Sequence, residues 1–142
     1  GDRRHAPVGG MVALAARQRG ALGIVVDGVC TDRAELHELG FPVFARGTSL
    51  LTTKLVGTPS GALNLPVSCG GVVVHPGDLV LADENGVLFL RPSEAMALLP
   101  EVEARERRTE ERRRRLLEGA SLADLSGANA ALERLLRPPS GS

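Results

Sequence analysis

The chain has 142 residues, a length that suits one domain with a hydrophobic core of its own. Its 17 basic residues balance 17 acidic ones, so no overall field favours nucleic acid or a membrane surface as a partner. Aromatic residues make up 2%, which argues against a platform for stacking bases. No apolar run reaches membrane-spanning length and no signal-peptide pattern opens the chain, so we expect a cytoplasmic protein.

Helices and strands are predicted in alternation over the first third of the chain. After an extended segment (1–8), the apolar spacing over 9–20 predicts a helix that ends at Gly20. Its shared face comprises Met11, Leu14, Ala15 and Gln18.

A β-branched run follows at 22–28 and is typical of a strand buried on both faces. Residues 32–40 predict a short helix, with Asp32 at its N-cap and Gly40 just past its end. A second short strand is predicted at 41–45.

The middle of the chain is rich in turn residues. Residues 46–61 predict a long loop or an irregular strand, and long loops in compact domains are often functional. Residues 62–92 predict three or four short strands joined by glycine turns, of which Asn85-Gly86 is the clearest.

The character of the sequence changes after residue 92. Ser93 is a plausible N-cap, and Glu101 with Arg105 and Glu111 with Arg115 predict a solvated helix supported by ion pairs. Four arginines at 112–115 could bind nucleic acid, but interleaved glutamates favour an exposed helix. A last amphipathic segment is expected to dock on the core or on a neighbouring subunit. We therefore divide the chain into an α/β core (1–92), C-terminal helices (93–137) and a tail (138–142).

The two cysteines, Cys30 and Cys69, lack the spacing of a metal site. Small core residues in a reducing compartment are the favoured interpretation, and a disulfide is the alternative.

Two carboxylates stand out on the second predicted helix. Asp32 and Glu35 lie three residues apart, so they face the same way on a helix. Mg²⁺ and Mn²⁺ prefer oxygen ligands and keep several waters, so one or two carboxylates suffice to hold them. The alternative interpretation is a capping aspartate and a surface glutamate.

The start of the first helix is a second candidate, because free backbone N–H groups there favour an anion. It comprises Gly9, Gly10, Met11 and Val12, and a plain glycine-rich turn explains it equally well. Asp78 and Asp83 belong to turn motifs, and the three histidines are scattered (His5, His37 and His75).

The order of these motifs resembles the RraA-like superfamily, which includes the 4-hydroxy-4-methyl-2-oxoglutarate aldolases and a ribonuclease regulator. The resemblance covers residues 1–90, with "RGALGIVVDG", "GFPVFARG" and "CGGVVVHPGDLVLADENGVLFL" as further matches. The family's aldolase signature is Gly, twenty residues, Arg-Asp, two residues and then Glu or Asp. Here Gly10, Asp32 and Glu35 keep that spacing, and Thr31 stands in place of the Arg. Family members usually have a further N-terminal portion, so this chain is expected to be a fragment, a cleaved chain or a trimmed one.

The resemblance implies a swivelling β/β/α sandwich, assembled as a trimer or a dimer of trimers. It implies a Mg²⁺- or Mn²⁺-dependent lyase acting on a small 2-oxo acid, by retro-aldol cleavage or decarboxylation that leaves a pyruvate enolate. Asp32 and Glu35 would hold the metal, and the backbone near Gly10, Met11 and Val12 would receive the substrate carboxylate. No nucleic-acid or membrane partner is implied.

Thr31 leaves three interpretations open, because a neutral hydroxyl cannot replace the charge and fork geometry of Arg. Arg33 could take over that role, so the candidate catalytic residues are Asp32, Thr31 and Arg33. Alternatively, the site could serve a different 2-oxo acid. Or the chain could be a non-catalytic regulator or scaffold that binds a protein partner.

Overall fold

The chain divides into two compact units, Gly1–Pro92 and a second unit that begins at Ser93. The computed structural model describes residues 1–53 and 61–136. The first unit combines helices with strands, and the second is helical in its described part. The mixed α/β fold predicted from the sequence is therefore confirmed.

A β-α-β element forms the centre of the first unit. Strand β1 (Ile24–Cys30) pairs in parallel with β2 (Val43–Thr48), and helix α2 (Arg33–Leu39) connects them. Parallel strands need such a crossover. The predicted two-sided burial of β1 holds only at its carboxyl end, where residues 28–30 are buried, whereas residues 24–27 are half-buried.

Helix α1 (Gly10–Gln18) packs through its smallest residues. Gly10 and Ala13 are buried and Ala16 is half-buried, so the helix approaches the sheet closely. The face that carries Met11 instead lies in solvent, with Met11 75% exposed. Gly20, at a φ of +84°, ends the helix as predicted.

The core is a small cluster between α1, α2 and the parallel strands. Its buried members are Val8, Ala13, Cys30, Leu36 and Phe41. Both cysteines are free thiols, Cys30 in the core and Cys69 half-buried, so the disulfide alternative is wrong.

Four further strands form two antiparallel hairpins, as the turn motifs predict. Strands β3 (Val67–Cys69) and β4 (Val72–Val74) pair with each other, and β5 (Leu79–Asp83) pairs with β6 (Gly86–Leu90). In the second hairpin Asp83 pairs with Gly86, so the loop residues are 84 and 85 and the turn begins one residue earlier than predicted.

The predicted loop at 46–61 is shorter than expected at its start. Strand β2 continues to Thr48, and Thr52 forms a parallel bridge with Ala6. The rest of the predicted loop, from residue 54 to residue 60, lies outside the described residues.

Helix α3 (Pro92–Leu117) is continuous over 26 residues. It begins at Pro92 rather than after a Ser93 cap, since proline suits the first helical position. Ion pairs support its exposed surface, but with partners other than those predicted. The observed pairs are Glu103–Arg107 at 3.9 Å, Glu111–Arg114 at 2.8 Å and Glu118–Arg114 at 2.6 Å.

Two shorter helices follow in the second unit, α4 (Leu122–Ser126) and α5 (Ala128–Leu136). The Ser121 hydroxyl caps α4 by accepting the Ala123 N–H at 3.2 Å. Across the described ranges, every helix is too short or too polar to span a membrane.

Asp27 in β1 links the parallel strands to the first hairpin. Arg46 in β2 donates its Nε–H to Asp27 Oδ1, and the Gly70 N–H donates to Oδ2 at 3.0 Å. These donors, Arg46 foremost, lower the pKa of Asp27 from 3.8 to about 2. The charged carboxylate therefore contributes to the stability of the first unit.

Replacement of Asp27 with Asn is expected to make the protein less stable in a pH-dependent way. A pKa that is lower in the folded state adds stability above the unfolded value, and that stability is lost as the pH falls through the folded value. The urea midpoint of Asp27→Asn should thus lie below that of the wild type at pH 7, and the gap should close between about pH 4 and pH 2. Glu38→Gln, on the exposed side of α2, is the control. If the difference between the two urea midpoints stayed constant with pH, the substitution would have removed packing contacts and not a stabilising charge.

Candidate active site at the starts of helices α1 and α2

The starts of α1 and α2 meet at the carboxyl end of β1. Val8 forms a parallel bridge with Cys30, and the Thr31 N–H donates to the Val8 carbonyl at 2.9 Å. The chain then turns into α1 at Gly10 on one side and into α2 at Arg33 on the other. This pairing brings the two candidate motifs of the sequence into one place.

Asp32 holds a left-handed backbone, with φ of 56° and ψ of 40°. Aspartate is among the few residues other than glycine that tolerate this region. Two backbone hydrogen bonds hold this conformation. The Thr31 N–H donates to the Val8 carbonyl, and the Asp32 carbonyl accepts the Leu36 N–H at 2.9 Å. Backbone strain that neighbouring structure imposes in this way is concentrated at functional sites.

The Asp32 carboxylate bonds to α1 rather than to its own helix. Its Oδ2 accepts the Gly10 N–H at 3.1 Å, and its Oδ1 accepts the Thr31 hydroxyl at 3.2 Å. Asp32 does occupy the N-cap position of α2, but its side chain makes no capping bond there. The sequence therefore predicts the N-cap residue correctly, but the expected capping hydrogen bond does not form, because the left-handed backbone turns the carboxylate toward α1.

Two glycines let the carboxylates approach the start of α1. A Cβ atom added to Gly9 would lie 2.4 Å from Asp32 Oδ2, and one added to Gly10 would lie 2.2 Å from Glu35 Oε2. Glu35 thus rests against Gly10, while Asp32 rests against Gly9. Both carboxylates remain open to solvent, as a site that takes a ligand requires.

The predicted anion site at this helix start needs a correction. The Gly10 N–H is already bound to Asp32, so it is not available for a ligand carboxylate. The Met11 and Val12 N–H groups have no partner inside the helix, and no side chain at the N-cap serves them. A ligand anion would therefore meet these two groups only.

Arg33 lies apart from the other predicted site residues. It lines a cleft beside β2 together with His37 and Arg46, and neither Asp32 nor Gly10 lines that cleft. The structure thus brings together Asp32, Thr31, Glu35 and Gly10, and it places Arg33 elsewhere.

Two histidines have acidic neighbours in local turns. The ring Nδ1 of His5 lies 2.9 Å from Asp2 Oδ2, and the backbone N–H of His75 donates to Asp78 Oδ2 at 2.7 Å. Asp78 is thus a turn former, in agreement with the structural interpretation of its motif.

Sequence reasoning missed Asp27, although an aspartate inside an apolar strand was a signal that could have found it.

Asp32 and Glu35 are the candidate ligands for an ion of the magnesium type. Within residues 1–53 and 61–136, no three histidine, cysteine, aspartate or glutamate side chains form a cluster able to hold a metal. Mg²⁺ and Mn²⁺ need one or two carboxylates and fill the remaining positions with water or substrate, whereas a structural zinc needs four protein ligands. Two solvent-facing carboxylates, with water completing the coordination, could therefore hold Mg²⁺ or Mn²⁺.

Alanine substitution at Gly9 is expected to displace the Asp32 carboxylate, and alanine substitution at Gly10 is expected to displace that of Glu35. In Gly10→Ala the new methyl group displaces the flexible end of Glu35, and since alanine favours helices by about 1 kcal/mol, stability should not fall. In Gly9→Ala the methyl group displaces Asp32 and the Thr31 methyl group and breaks the bond from Gly10 to Asp32, which should lower stability by about 1 kcal/mol or more.

Manganese affinity by calorimetry and the urea midpoint check these two variants. Gly61→Ala is the matched control, because a methyl group there meets nothing within 4 Å. Unchanged manganese affinity in both site variants would contradict the assignment of the two carboxylates.

Known proteins resemble this chain over the same region. A family model described as RraA-like, Aldolase/RraA, matches residues 1–89. A Halalkalibacterium halodurans protein named "Putative 4-hydroxy-4-methyl-2-oxoglutarate aldolase" is 33% identical over 138 residues, which cover 97% of this chain and 62% of that protein.

Solved structures show the same fold. An uncharacterized protein from Pseudomonas syringae superimposes with a TM-score of 0.74 at 24% identity, covering 87% of this chain and 62% of the other. Streptomyces coelicolor RraAS2, described as an unusual member of the RNase ES inhibitor RraA family, has a TM-score of 0.67 at 32% identity. That match covers 77% of this chain and 55% of RraAS2.

The chain spans less than two thirds of the length of each of these three proteins. The family match itself extends over the parallel strands, both hairpins and the Asp32 site. On this evidence the chain belongs to the RraA-like (Aldolase/RraA) family.

Proposed function

We propose that this protein is a divalent-metal-dependent lyase that cleaves a carbon–carbon bond in a small 2-oxo acid, by retro-aldol cleavage or decarboxylation. The observation that carries the proposal is the approach of the Asp32 and Glu35 carboxylates to the start of α1. The aldolase name of the Halalkalibacterium halodurans relative supports the same chemistry.

Each site residue has a role in this proposal. Asp32 and Glu35 hold Mg²⁺ or Mn²⁺, directly or through water. The bound ion would act as a Lewis acid toward a 2-oxo carbonyl. The Met11 and Val12 N–H groups bind the substrate carboxylate at the positive end of the α1 dipole. Thr31 orients Asp32 through its hydroxyl hydrogen bond.

Pyruvate release by the full chain tests the proposal. The substrates are oxaloacetate and a panel of 4-hydroxy-2-oxo acids, each assayed with Mn²⁺, with Mg²⁺ and with EDTA. We expect turnover of at least one substrate with metal and none with EDTA. The proposal fails if no substrate is turned over and Mn²⁺ does not bind.

A non-catalytic regulator is the second candidate. Thr31 removes a charge that the family's aldolase signature retains, and RraAS2 is described as a member of an RNase inhibitor family. This alternative predicts inhibition of an RNase ES-type ribonuclease by a complex that is insensitive to EDTA. Turnover on the substrate panel without ribonuclease binding would exclude it.

We also propose that the protein assembles as a trimer or a dimer of trimers. The hairpin of β5 and β6 exposes large apolar side chains, among them Val80 at 49% and Leu81 at 56%. Surface of this kind is typical of a subunit interface. Light scattering of the full chain should give a trimeric or hexameric mass, and a monomeric mass would contradict the proposal.

A further inference from the structure

A second group of polar side chains lies on the opposite flank of α2 from Glu35. Buried side chains of Cys30, Leu36 and Phe41 form the floor of a cleft of about 440 Å³. Its polar lining comes from Arg33, His37, Arg46 and Thr48. A cleft of this volume, with an apolar floor and a few polar groups, suits a small molecule.

The charge of this lining has one sign. Two arginines and a histidine line the cleft, and no aspartate or glutamate does. Within the described ranges, the side chains of Arg33 and His37 form no hydrogen bond or ion pair. The cleft thus places Arg33 beside an apolar floor without an acidic partner in its lining.

Helix geometry places Arg33 and His37 side by side at the cleft. The two residues are four apart, so they are neighbours on the same helix face. An oxyanion in the cleft could therefore contact both side chains.

Arg33 is the arginine of this cleft that is open to an anion. Arg46 also lines the cleft, but its guanidinium is bound to Asp27, and neither Asp27 nor its other partner Gly70 lines the cleft. The Arg33 guanidinium forms no hydrogen bond or ion pair within 1–53 and 61–136. A planar guanidinium of this kind binds a carboxylate or phosphate with two parallel hydrogen bonds.

We propose that this cleft binds the oxyanion group, carboxylate or phosphate, of a small molecule whose apolar part contacts Phe41 and Val43. Arg33 pairs with the oxyanion, and the Thr48 hydroxyl donates a further hydrogen bond. The cleft is separate from the Asp32 site, so the proposal does not depend on lyase activity.

Two-dimensional amide NMR of the full chain tests this proposal. Malonate and methylphosphonate serve as probes, each compared with sodium chloride at equal ionic strength. We expect saturable shifts of the Gly47, Thr48 and His37 amides with at least one probe. The probe with the higher affinity then identifies the oxyanion as carboxylate or phosphate.

A pair of matched variants shows whether the binding is local. Arg33→Gln should weaken probe binding about tenfold or more, because it removes a charge-assisted hydrogen bond. Arg19→Gln removes the same charge from the exposed end of α1 and should leave the affinity unchanged. The proposal is overturned if neither probe gives saturable shifts. Equal weakening by both variants would also overturn it, since it would reveal a general charge effect.

Discussion

Replacement of Asp32 with Asn is expected to lower metal-dependent turnover sharply while the fold is retained. Asparagine tolerates the left-handed backbone at this position, and its amide oxygen can still accept the Gly10 N–H. Only the negative charge is lost. We expect the turnover rate to fall by about 10²–10³-fold, with a parallel loss of Mn²⁺ affinity.

The stability of two Asp32 variants separates the charge from the hydrogen bond. Asp32→Asn should unfold within about 1 kcal/mol of the wild type. Asp32→Ala should lose about 1–3 kcal/mol, because it leaves the Gly10 N–H unpaired and strains the left-handed backbone. Urea unfolding and Mn²⁺ calorimetry measure the two effects. Asp32→Asn with wild-type turnover would rule out Asp32 as a metal ligand.

Arginine at position 31 is expected to raise the rate of aldol cleavage by about 10²–10³-fold. It restores the residue of the family's aldolase signature beside Asp32, where the Thr31 hydroxyl now donates to Oδ1. The guanidinium can keep that hydrogen bond and add a positive charge near the reacting oxygen. Pyruvate release from 4-hydroxy-2-oxo acids is the measurement.

Two further substitutions at this position serve as controls. Thr31→Lys supplies a positive charge without the planar fork, so its gain should be smaller than that of Thr31→Arg. Thr31→Val removes the hydroxyl and should lower activity, since Asp32 loses an orienting bond. If Thr31→Arg changes nothing while the wild type is active, charge loss is the wrong explanation. The site would then serve another substrate.

Local patterns in the sequence were reliable where the cause of a structure lies within a few residues. Gly20 and Gly40 end their helices at positive φ because no side chain opposes that conformation. The hairpins follow from their glycine turns in the same way. A serine cap at position 93 would start α3 at Glu94, two residues later than the observed start at Pro92, because proline suits the first helical position.

Asp32 and Arg33 show what such patterns leave open. Asp32 was predicted to cap its own helix, yet its carboxylate bonds to Gly10, which is 22 residues away. Arg33 was a candidate for the site of Asp32, yet it faces the opposite flank of α2. Both outcomes depend on how α1 packs against α2, and residue spacing along one helix carries no information on that packing.

The sequence by itself determined the kinds of elements, their caps and the spacing that links Gly10, Asp32 and Glu35. These features depend on backbone preferences and hydrophobic periodicity, which act over a few residues. Only the tertiary structure decided that Gly9 and Gly10 make room for two carboxylates, and that α2 separates its acidic from its basic side chains. The reason is physical: contacts between distant segments form when the core packs, and packing selects one arrangement from many with the same local pattern.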